Sequence, residues 1–463
     1  MTPVSRGSSS EVTVGIDIGT TAVKAVAADE HGRVLARARI PHEVRVPDAD
    51  RLEHDADDAW RAGPSVAMRQ LAQPDALAAA VSAMVPSLTA VDAEGRPITP
   101  GLLYGDARGR GSTGRSPVAS FAPEPGAFLT GEMAEFLRWT AKQAPEAAGY
   151  WPAPAVANYA LAGEAVIDLA TAGTAYPLFD GSGWSASACG ELGVSTDRMP
   201  RVEMMGAAVG RVFGTDTVLA AGAIDALCEQ LVAGADGEGD VLVVCGTTLI
   251  VWATTSQANE VPGLWTVPRL LPGLSQMGGA SNAGGLFLNW VDRLVGQGNT
   301  TQSPTSQSDP RRVPVWSPYV RGERTPLHDP DRRAALDGLD LTHDAATLRR
   351  AAFEASAFVV RHLIDLSGVP VSRVVATGGG TRVEPWMQAI ADATGVPVEV
   401  SGVAEGAALG AAFMARMAVG LESSMTDAAR WASTQHIVEP DPAWTSATQD
   451  RYARFLELSG WPV

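Results

Sequence analysis

The sequence predicts an α/β protein with a weak internal duplication. Its 463 residues favour two or more domains over one. The stretches VTVGIDIGTTAVKAV (12–26) and DVLVVCGTTLIVWATT (240–255) both place Gly-Thr-Thr between runs rich in Val and Ile. Strand patterns and helical patterns follow one another after each copy, which is typical of sheets covered by helices.

The first half opens with a pattern of three short strands over residues 12–40. The stretch DEHG at 29–32, between the second and third strands, is a good hairpin turn. An Ala-rich helical region follows at 56–80 and is interrupted by Pro64 and Pro74. The later elements of this half are two strands, a loop rich in Gly, Ser and Pro, a helix, and a strand that enters a helix, at 78–86, 88–95, 109–127, 131–145 and 218–235.

The second half starts after GADGEGD at 234–240, where Gly and acidic residues without an apolar anchor predict a hinge. Its first two strands enclose the second Gly-Thr-Thr. Residues 296–312 contain no large apolar side chain and predict a mobile surface loop. A long helix, a strand ending in three glycines, a helix and a final helix with small residues at its start are predicted at 342–366, 373–380, 384–395 and 405–420.

Bulk composition excludes several classes of protein. The net charge of −17 disfavours binding to nucleic acids or anionic membranes, since both need a basic surface. The three cysteines form no CxxC pair, which argues against a disulfide frame or a zinc site and for a reducing compartment. No apolar run approaches the roughly twenty residues of a membrane span, and MTPVSRGSSSE lacks the core of a secretion signal. We therefore expect a cytoplasmic protein.

The first Gly-Thr-Thr fits neither of the common phosphate-binding loops that open a helix, because strand alternation continues after it. A tight turn inside a hairpin can direct backbone N–H groups and the hydroxyls of Thr20 and Thr21 at a phosphate, and Gly19 allows close approach. Asp17 ends the incoming strand and could hold Mg²⁺ through water. The alternative is a plain hairpin with a glycine turn. The second copy, Gly246-Thr247-Thr248, favours the functional interpretation, since two turns can grip one polyphosphate.

One acidic residue lies alone in the apolar stretch AGAIDA, directly after a predicted strand. A solitary buried carboxylate is costly unless it is used or paired. Asp225 is therefore either a base that accepts a hydroxyl proton or an N-cap of the following helix. The glycines of ATGGG at 376–380 indicate a backbone approached closely by a flat group, although an ordinary strand-to-helix turn explains them equally well.

These motifs, taken in order, resemble the FGGY family of carbohydrate kinases over about residues 12–420. GIDIGTT and GDVLVVCGTT are similar to the family's two phosphate motifs, and AGAIDA is similar to the motif with the catalytic Asp. GGASNAGGLFLNWV, PYVRGERTPLHDPDRRAALDGLDLTH, ATGGGTRVEPWMQAIADATGVPV and AEGAALGAA follow in the family's order. A motif is supported by its context, and here the context is the whole series.

The resemblance implies an α/β fold of two ribonuclease-H-like domains, as in the sugar kinase, heat-shock chaperone and actin superfamily, with ATP and a sugar in the interdomain cleft. The expected segments are an N-terminal domain at 11–236, a nucleotide-binding domain at 237–425 and a C-terminal extension at 426–463. The implied reaction moves the γ-phosphoryl group of ATP to a sugar or polyol hydroxyl.

The resemblance also assigns roles by position. Asp225 would be the catalytic base and Asp17 would act at Mg²⁺. The residues implied to contact ATP are Gly19, Thr20, Thr21, Gly246, Thr247, Thr248, Gly285, Asn289, Gly379, Gly380 and Glu384.

The sugar-binding part departs from the family pattern. The polar pair that usually reads the sugar aligns with Val85-Pro86, and neither side chain can hydrogen-bond a hydroxyl. In the next segment Asp106 and Arg108 remain, whereas Tyr104 replaces the usual Trp. These five residues are the expected substrate positions, and their change predicts relaxed or redirected specificity. We expect xylulokinase-like organisation and a pentulose as the acceptor.

Two other classes compete with an active kinase. A non-catalytic relative would bind ATP or sugar as a sensor, which the altered pair favours and the retained Asp225 and Asp17 disfavour. An actin-like or chaperone ATPase would need a polymer surface or a peptide-binding module. The expected partner is a small sugar or polyol, without nucleic acid or membrane. The sequence leaves the oligomeric state open, with a homodimer as one candidate.

Overall fold

A computed structural model describes residues 11–48, 51–108, 132–257, 259–271, 273–296, 309–329 and 331–461. The chain divides into two compact units. The first unit comprises Met1–Val232 and Glu405–Trp431, and the second comprises Ala233–Ala404 and Ala432–Val463. The predicted loop at 109–127 and most of the predicted loop at 296–312 lie outside the described residues.

The strands, numbered along the chain, are β1 (Thr13–Ile18), β2 (Ala22–Ala28), β3 (Val34–Pro41), β4 (Arg45–Asp48), β5 (Arg51–His54), β6 (Ala78–Ala83), β7 (Ser87–Val91), β8 (Gly101–Leu103), β9 (Gly149–Trp151), β10 (Val166–Asp168), β11 (Arg201–Glu203), β12 (Ala208–Arg211), β13 (Val218–Ile224), β14 (Asp240–Cys245), β15 (Leu249–Thr255), β16 (Trp265–Leu271), β17 (Leu274–Ser281), β18 (Val315–Ser317), β19 (Ala335–Asp337), β20 (Arg373–Thr377), β21 (Val398–Ser401) and β22 (Thr434–Val438).

The α-helices are α1 (Gly63–Leu71), α2 (Glu132–Gln143), α3 (Ala153–Ala162), α4 (Leu169–Gly173), α5 (Ala186–Glu191), α6 (Asp225–Ala233), α7 (Gly285–Val295), α8 (Ala345–Ser367), α9 (Glu384–Thr394), α10 (Gly406–Ala418) and α11 (Pro442–Leu458). Short π- or 3₁₀-helical turns lie at Asp57–Ala62, Thr196–Arg198, Pro310–Arg312, Gly379–Arg382 and Met425–Trp431.

The central sheet of the first unit has the strand order β12-β13-β6-β1-β2-β3. The antiparallel pairs β1–β2 and β2–β3 confirm the predicted meander. β1 and β13 both pair with β6 in parallel, so their carboxyl ends reach the same edge of the sheet. A second sheet, β4-β5-β8-β7-β9, and the pair β10–β11 complete this unit.

The helix α10 belongs to the first unit although it lies between the two segments of the second unit in the chain. Its backbone lies against β1 so closely that a Cβ atom on Gly15 would stand 1.8 Å from the carbonyl oxygen of Ala408. The hydroxyl of Thr13 also donates to the carbonyl oxygen of Ala412 at 2.9 Å. For this reason the structural division differs from the expected boundaries at 236/237 and 425/426, which assigned α10 to the second domain.

The seven-stranded sheet of the second unit has the order β16-β17-β15-β14-β20-β21-β22. β14 pairs with β15 antiparallel and with β20 in parallel, which repeats the relation of β1 to β2 and β6. The last segment of the chain is part of this unit. β22 pairs with β21, and Phe455 of α11 is fully buried in the core. The expected separate extension at 426–463 is therefore divided between the two units.

The helical region predicted at 56–80 contains two prolines, Pro64 and Pro74. Pro64 lies in the first turn of α1, directly after the π-helical turn, so the chain stays helical through this proline. The helix ends at Leu71, before Pro74. Among the described residues, no helix is both long and apolar enough to cross a bilayer.

The close approach of α10 to β1 predicts that even one added methyl group at Gly15 is costly. In Gly15→Ala the new Cβ would overlap the backbone of Ala408 and Ala412 and force α10 to move. We expect the first unit to lose about 1–3 kcal/mol or more in urea unfolding. The matched control is Gly190→Ala in α5, where an added Cβ meets nothing within 4 Å. The control should be neutral or slightly stabilising; equal effects of the two substitutions would contradict this packing.

Candidate active site

The first Gly-Thr-Thr forms the turn between β1 and β2, as predicted. The amide of Gly19 donates to the carbonyl oxygen of Ala22 at 3.1 Å, and Thr21 is exposed. The hydroxyl of Thr20 is 2.8 Å from the Tyr104 hydroxyl. The hydroxyl of Thr20 therefore already has a protein partner, whereas the side chain of Thr21 faces outward.

A buried histidine that the sequence did not single out, His54, contacts the backbone of this turn. The His54 Nε2 atom lies 2.8 Å from the carbonyl oxygen of Thr20, and His54 Nδ1 accepts a hydrogen bond from the Trp60 indole at 3.0 Å. Burial lowers the pKa of His54 to about 4, so its ring is neutral and Nε2–H donates to Thr20. Sequence alone gave no signal for this contact, because it joins residues 34 positions apart.

Asp17, at the carboxyl end of β1, is buried beside a lysine. The register of β1 and β2 places Asp17 opposite Lys24, and the Lys24 Nζ is 4.0 Å from the Asp17 carboxylate. Burial raises the pKa of Asp17 to about 7, Lys24 opposes this rise, and Asp225 and Glu229 add to it. Lys24 was missed by the sequence reasoning, although a lone lysine in the buried strand AVKAVAA was a usable signal.

Asp225 lies at the same edge of the sheet, directly after β13 and at the start of α6. Its carboxylate accepts the amide of the next residue, Ala226, at 2.7 Å. A capping side chain bonds the amides two or three residues further on, so this contact is not the usual N-cap. Burial raises the pKa of Asp225 and Lys24 lowers it. Glu229 follows four residues later on α6 and is buried.

The residues in this part of the first unit fit a divalent cation. Asp17, Asp225 and Glu229 bring three carboxyl groups near one lysine, which leaves negative charge to be offset. Within the described residues, no group of three or more His, Cys, Asp or Glu side chains is arranged to hold a metal ion. Mg²⁺ keeps several waters and takes one or two carboxylates, and Asp17 and Asp225 are ligands of that type.

The second Gly-Thr-Thr follows β14 and is closed by the start of α7. The amide of Gly246 donates to the carbonyl oxygen of Thr248 at 3.1 Å. The carbonyl oxygens of Gly246 and Thr247 accept the amides of Gly285 and Leu286 at 2.9 and 3.0 Å. The turn thus has fixed carbonyl groups, while the Thr247 side chain is exposed.

The three glycines after β20 reach the same edge of the second sheet as this turn, since β14 and β20 are parallel. Gly378 has φ +90°, and a Cβ there would stand 2.9 Å from the Cys245 carbonyl oxygen. A Cβ on Gly380 would overlap Trp386 and Cys245, so this glycine is required by packing inside the unit. Gly379 is exposed and a Cβ there meets nothing within 4 Å, so Gly379 offers open space to a ligand.

The two remaining residues of the expected nucleotide site are exposed. Asn289 is one turn after Gly285 on α7, and Glu384 begins α9. Spacing of four residues puts Gly285 and Asn289 on one face of the helix. Cys245, which precedes the second turn where Asp17 precedes the first, stays a neutral thiol because burial raises its pKa.

The structure does not support a role for the Asp106 carboxylate in hydrogen bonding to a sugar. Its side chain has no exposed surface and accepts the Leu52 amide at 2.7 Å, the Arg108 amide at 2.8 Å and two further donors of the Arg108 guanidinium. Arg108 in turn donates to Glu53 at 2.6 Å and stacks 4.9 Å from the Trp139 ring centroid. This buried ion pair holds β5 to the segment after β8. The hydrogen bonds that the Asp106 carboxylate can accept are thus mostly made within the protein.

The other expected substrate residues lie at the ends of β6 and β8. Val85 is half-buried and Pro86 buried, in the short link between β6 and β7. Tyr104 is half-buried directly after β8, where its hydroxyl meets Thr20 of the first phosphate turn. The structure therefore joins one expected substrate residue, Tyr104, to one expected phosphate residue.

Comparison with known families matches both units. The profile of the FGGY family of carbohydrate kinases, N-terminal domain, matches residues 12–221, and the profile of the C-terminal domain matches residues 241–419.

Individual relatives span nearly the whole chain. The xylulose kinase of Escherichia coli is 26% identical over 96% of this chain and 98% of its own length. The gluconokinase of Bacillus subtilis is 26% identical over 88% and 87%, and the glycerol kinase of Saccharopolyspora erythraea is 26% identical over 89% and 91%.

Solved structures show the same fold. The xylulose kinase of Rhodospirillum rubrum has a TM-score of 0.79 at 25% identity and covers 96% of this chain and 98% of its own. The glycerol kinase of Plasmodium falciparum, solved with ADP, has a TM-score of 0.79 at 16% identity, with coverage of 98% and 99%.

The raised pKa of Asp17 predicts a stability gain in Asp17→Asn. Between the ordinary value of 3.8 and about 7, the folded protein keeps a proton that the unfolded chain has lost, so the free energy of unfolding falls as pH rises through this window. Asparagine carries no charge and escapes this loss. In metal-free buffer we expect the free energy of unfolding of Asp17→Asn to exceed that of the wild type by on the order of 3 kcal/mol at about pH 8. At about pH 4 the difference should be much smaller. Urea unfolding at both pH values tests this, and a pH-independent difference would contradict it.

Proposed function

Since this chain belongs to the FGGY family of carbohydrate kinases, we propose that it transfers the γ-phosphoryl group of ATP to a hydroxyl of a pentulose such as xylulose or ribulose. The observation that carries the proposal is the placement of Asp225 beside Asp17 and Lys24 at one edge of the first sheet. The pentulose is favoured by the xylulose kinase that matches this chain along nearly its whole length.

Asp225 serves as the general base. A carboxylate with a raised pKa is a stronger base than an exposed aspartate, and it accepts the proton of the acceptor hydroxyl as that oxygen attacks. The Ala226 amide holds one carboxylate oxygen at 2.7 Å and leaves the other oxygen for the substrate. Lys24 lowers the pKa of Asp225 and so favours the charged form of this carboxylate.

The phosphate groups are held mainly by backbone N–H groups and hydroxyls. The second unit offers such groups at Thr247, Thr248 and the open backbone of Gly379, and the first unit offers the exposed side chain of Thr21. Mg²⁺, when bound, supplies positive charge to the phosphate oxygens, and Asp17 is the residue that would hold it. Phosphoryl transfer depends on such positioning and charge stabilisation more than on covalent chemistry.

The acceptor end carries fewer hydrogen-bonding groups than the phosphate end. Val85 and Pro86 offer only apolar surface, and Asp106 is enclosed by its protein partners. Tyr104 presents a hydroxyl close to the first turn. Because a site with few polar groups rejects wrong acceptors weakly, we propose a broader acceptor range than that of a kinase with a polar reading pair.

A panel of acceptors tests this proposal. Phosphate transfer from ATP should be fastest with pentuloses and measurable with several polyols and sugar acids, and discrimination among them should be about 100-fold or less. The assay couples ADP release to a chromogenic reaction and identifies the sugar phosphate by mass spectrometry. Absence of transfer to every acceptor, with ATP still bound, would contradict the proposal and favour a non-catalytic relative.

Replacing Asp225 separates catalysis from binding. Asp225→Asn should lower kcat by about 10²–10⁴ because the acceptor hydroxyl loses its base. ATP affinity should change little. The matched control is Asp29→Asn, a buried aspartate of the first unit that bonds the amides of His31 and Arg33 in a hairpin turn. Unchanged turnover in Asp225→Asn, or an equal loss in the control, would remove Asp225 from the catalytic role.

A further inference from the structure

The loop that contains PYVRGERTPL follows β18 and carries a buried carboxyl group that the proposed reaction leaves unexplained. Glu323 is only 3% exposed. Its backbone pairs with Asp329 in both directions, at 2.8 and 2.9 Å, which fixes the loop locally. Burying a carboxyl group is costly, so its partners show what the position requires.

Both oxygens of Glu323 are used, mostly by the segment that precedes α7. Oε2 accepts the Ser281 hydroxyl at 2.7 Å, and Oε1 accepts the Asn282 amide at 2.9 Å and the Arg324 amide at 2.6 Å. The Asn282 side chain returns a hydrogen bond to the Gly322 carbonyl oxygen at 3.1 Å. Segment 281–282 is thus joined to loop 322–324 by side chains from both sides.

This segment leads directly into the residues that close the second Gly-Thr-Thr turn. The Ser281 hydroxyl accepts the Ala283 amide at 3.0 Å, which turns the chain toward Gly284. A Cβ on Gly284 would stand 2.4 Å from the Thr248 backbone, so Gly284 is in direct contact with the turn. The Gly285 amide then bonds Gly246 at 2.9 Å. The contacts from Glu323 to the turn therefore form a continuous series within the second unit.

We propose that Glu323 is a positioning residue for nucleotide binding, which fixes segment 281–285 against the Gly246-Thr247-Thr248 turn without touching the nucleotide. The proposal rests on the proposed function in one respect, namely that this turn holds the phosphates of ATP. A displacement of the turn by a few tenths of an ångström would weaken its hydrogen bonds to the phosphates, because such bonds depend steeply on distance and angle.

The chemistry of the contacts distinguishes between two substitutions of Glu323. Glutamine keeps a carbonyl oxygen that can accept the amides of Asn282 and Arg324. Its NH₂ group can donate to the Ser281 hydroxyl oxygen, because the Ala283 amide uses only one of the two lone pairs of that oxygen. Alanine removes all three contacts and leaves buried donors without partners. Burial also raises the pKa of Glu323 to about 7, so its neutral form is populated near neutral pH. Glutamine is therefore the conservative variant.

The test measures MgADP binding by calorimetry together with KM for ATP and for the acceptor. Glu323→Ala should weaken MgADP binding and raise KM for ATP by about tenfold, with KM for the acceptor within about threefold of the wild type. Glu323→Gln should stay within about threefold in all three quantities. Ser281→Ala, which removes one contact on the other side, should weaken MgADP binding by an intermediate factor. If Glu323→Ala does not fold, the affinity of Ser281→Ala for MgADP tests the proposal.

The control is Glu354→Ala, which removes a buried carboxylate of the same unit. Glu354 pairs with Arg350 and Arg451, and none of its hydrogen bonds in the described residues reaches segment 281–285. It should lower stability without weakening MgADP binding. Wild-type MgADP affinity in Ser281→Ala, or an equal loss of affinity in Glu354→Ala, would overturn the proposal. Failure of the wild type to phosphorylate any acceptor, with the Glu323→Ala effect on MgADP intact, would instead overturn the proposed function.

Discussion

The negative charge enclosed at the carboxyl ends of β1 and β13 is the constraint on which the first unit depends. Asp17, Asp225 and Glu229 lie near one another, and Lys24 opposes their mutual repulsion only in part. Such an arrangement destabilises the ligand-free fold. It persists because the parallel pairing of both strands with β6 fixes where the carboxyl groups emerge, and because the backbone of α10 prevents β1 from moving away. Under the proposed function, a cation and a proton from the substrate would relieve part of this repulsion.

The two Gly-Thr-Thr turns are equivalent in topology and different in chemistry. Each follows a strand that pairs antiparallel with the next strand and in parallel with a later one. The first turn is preceded by a carboxyl group and tied through Thr20 to Tyr104 and His54. The second is preceded by the neutral thiol of Cys245 and tied through Gly284 and Gly285 to the segment that Glu323 holds. The same turn geometry therefore occurs twice, whereas the side chains beside it differ: a buried carboxyl group and a lysine in the first unit, and a neutral thiol in the second.

Local patterns were sufficient to predict the turns, the strands around them and the long helices, because these features depend on residues adjacent in sequence. The meander at 13–41 and the strand that enters α6 at Asp225 are examples. Features that depend on distant residues were not predictable in this way. The sequence does not show that the Asp106 carboxylate accepts hydrogen bonds from Arg108 and Leu52. Nor does it show that His54 bonds the carbonyl oxygen of Thr20. Family position suggested a ligand role for Gly380, whereas the contact with Trp386 shows a packing role as well.

The placement of α10 has a consequence for how the protein is made. The hydrogen bond from Thr13 to Ala412 spans 399 residues, so β1 obtains the helix that covers it only after residues 233–404 have been synthesised. Nascent chains usually acquire structure domain by domain from the N-terminus. Here six of the seven strands of the second unit's sheet, β14 to β17, β20 and β21, are synthesised while β1 still lacks the helix that covers it. The exposed strand is an aggregation hazard during translation, and its duration is set by the length of the inserted unit.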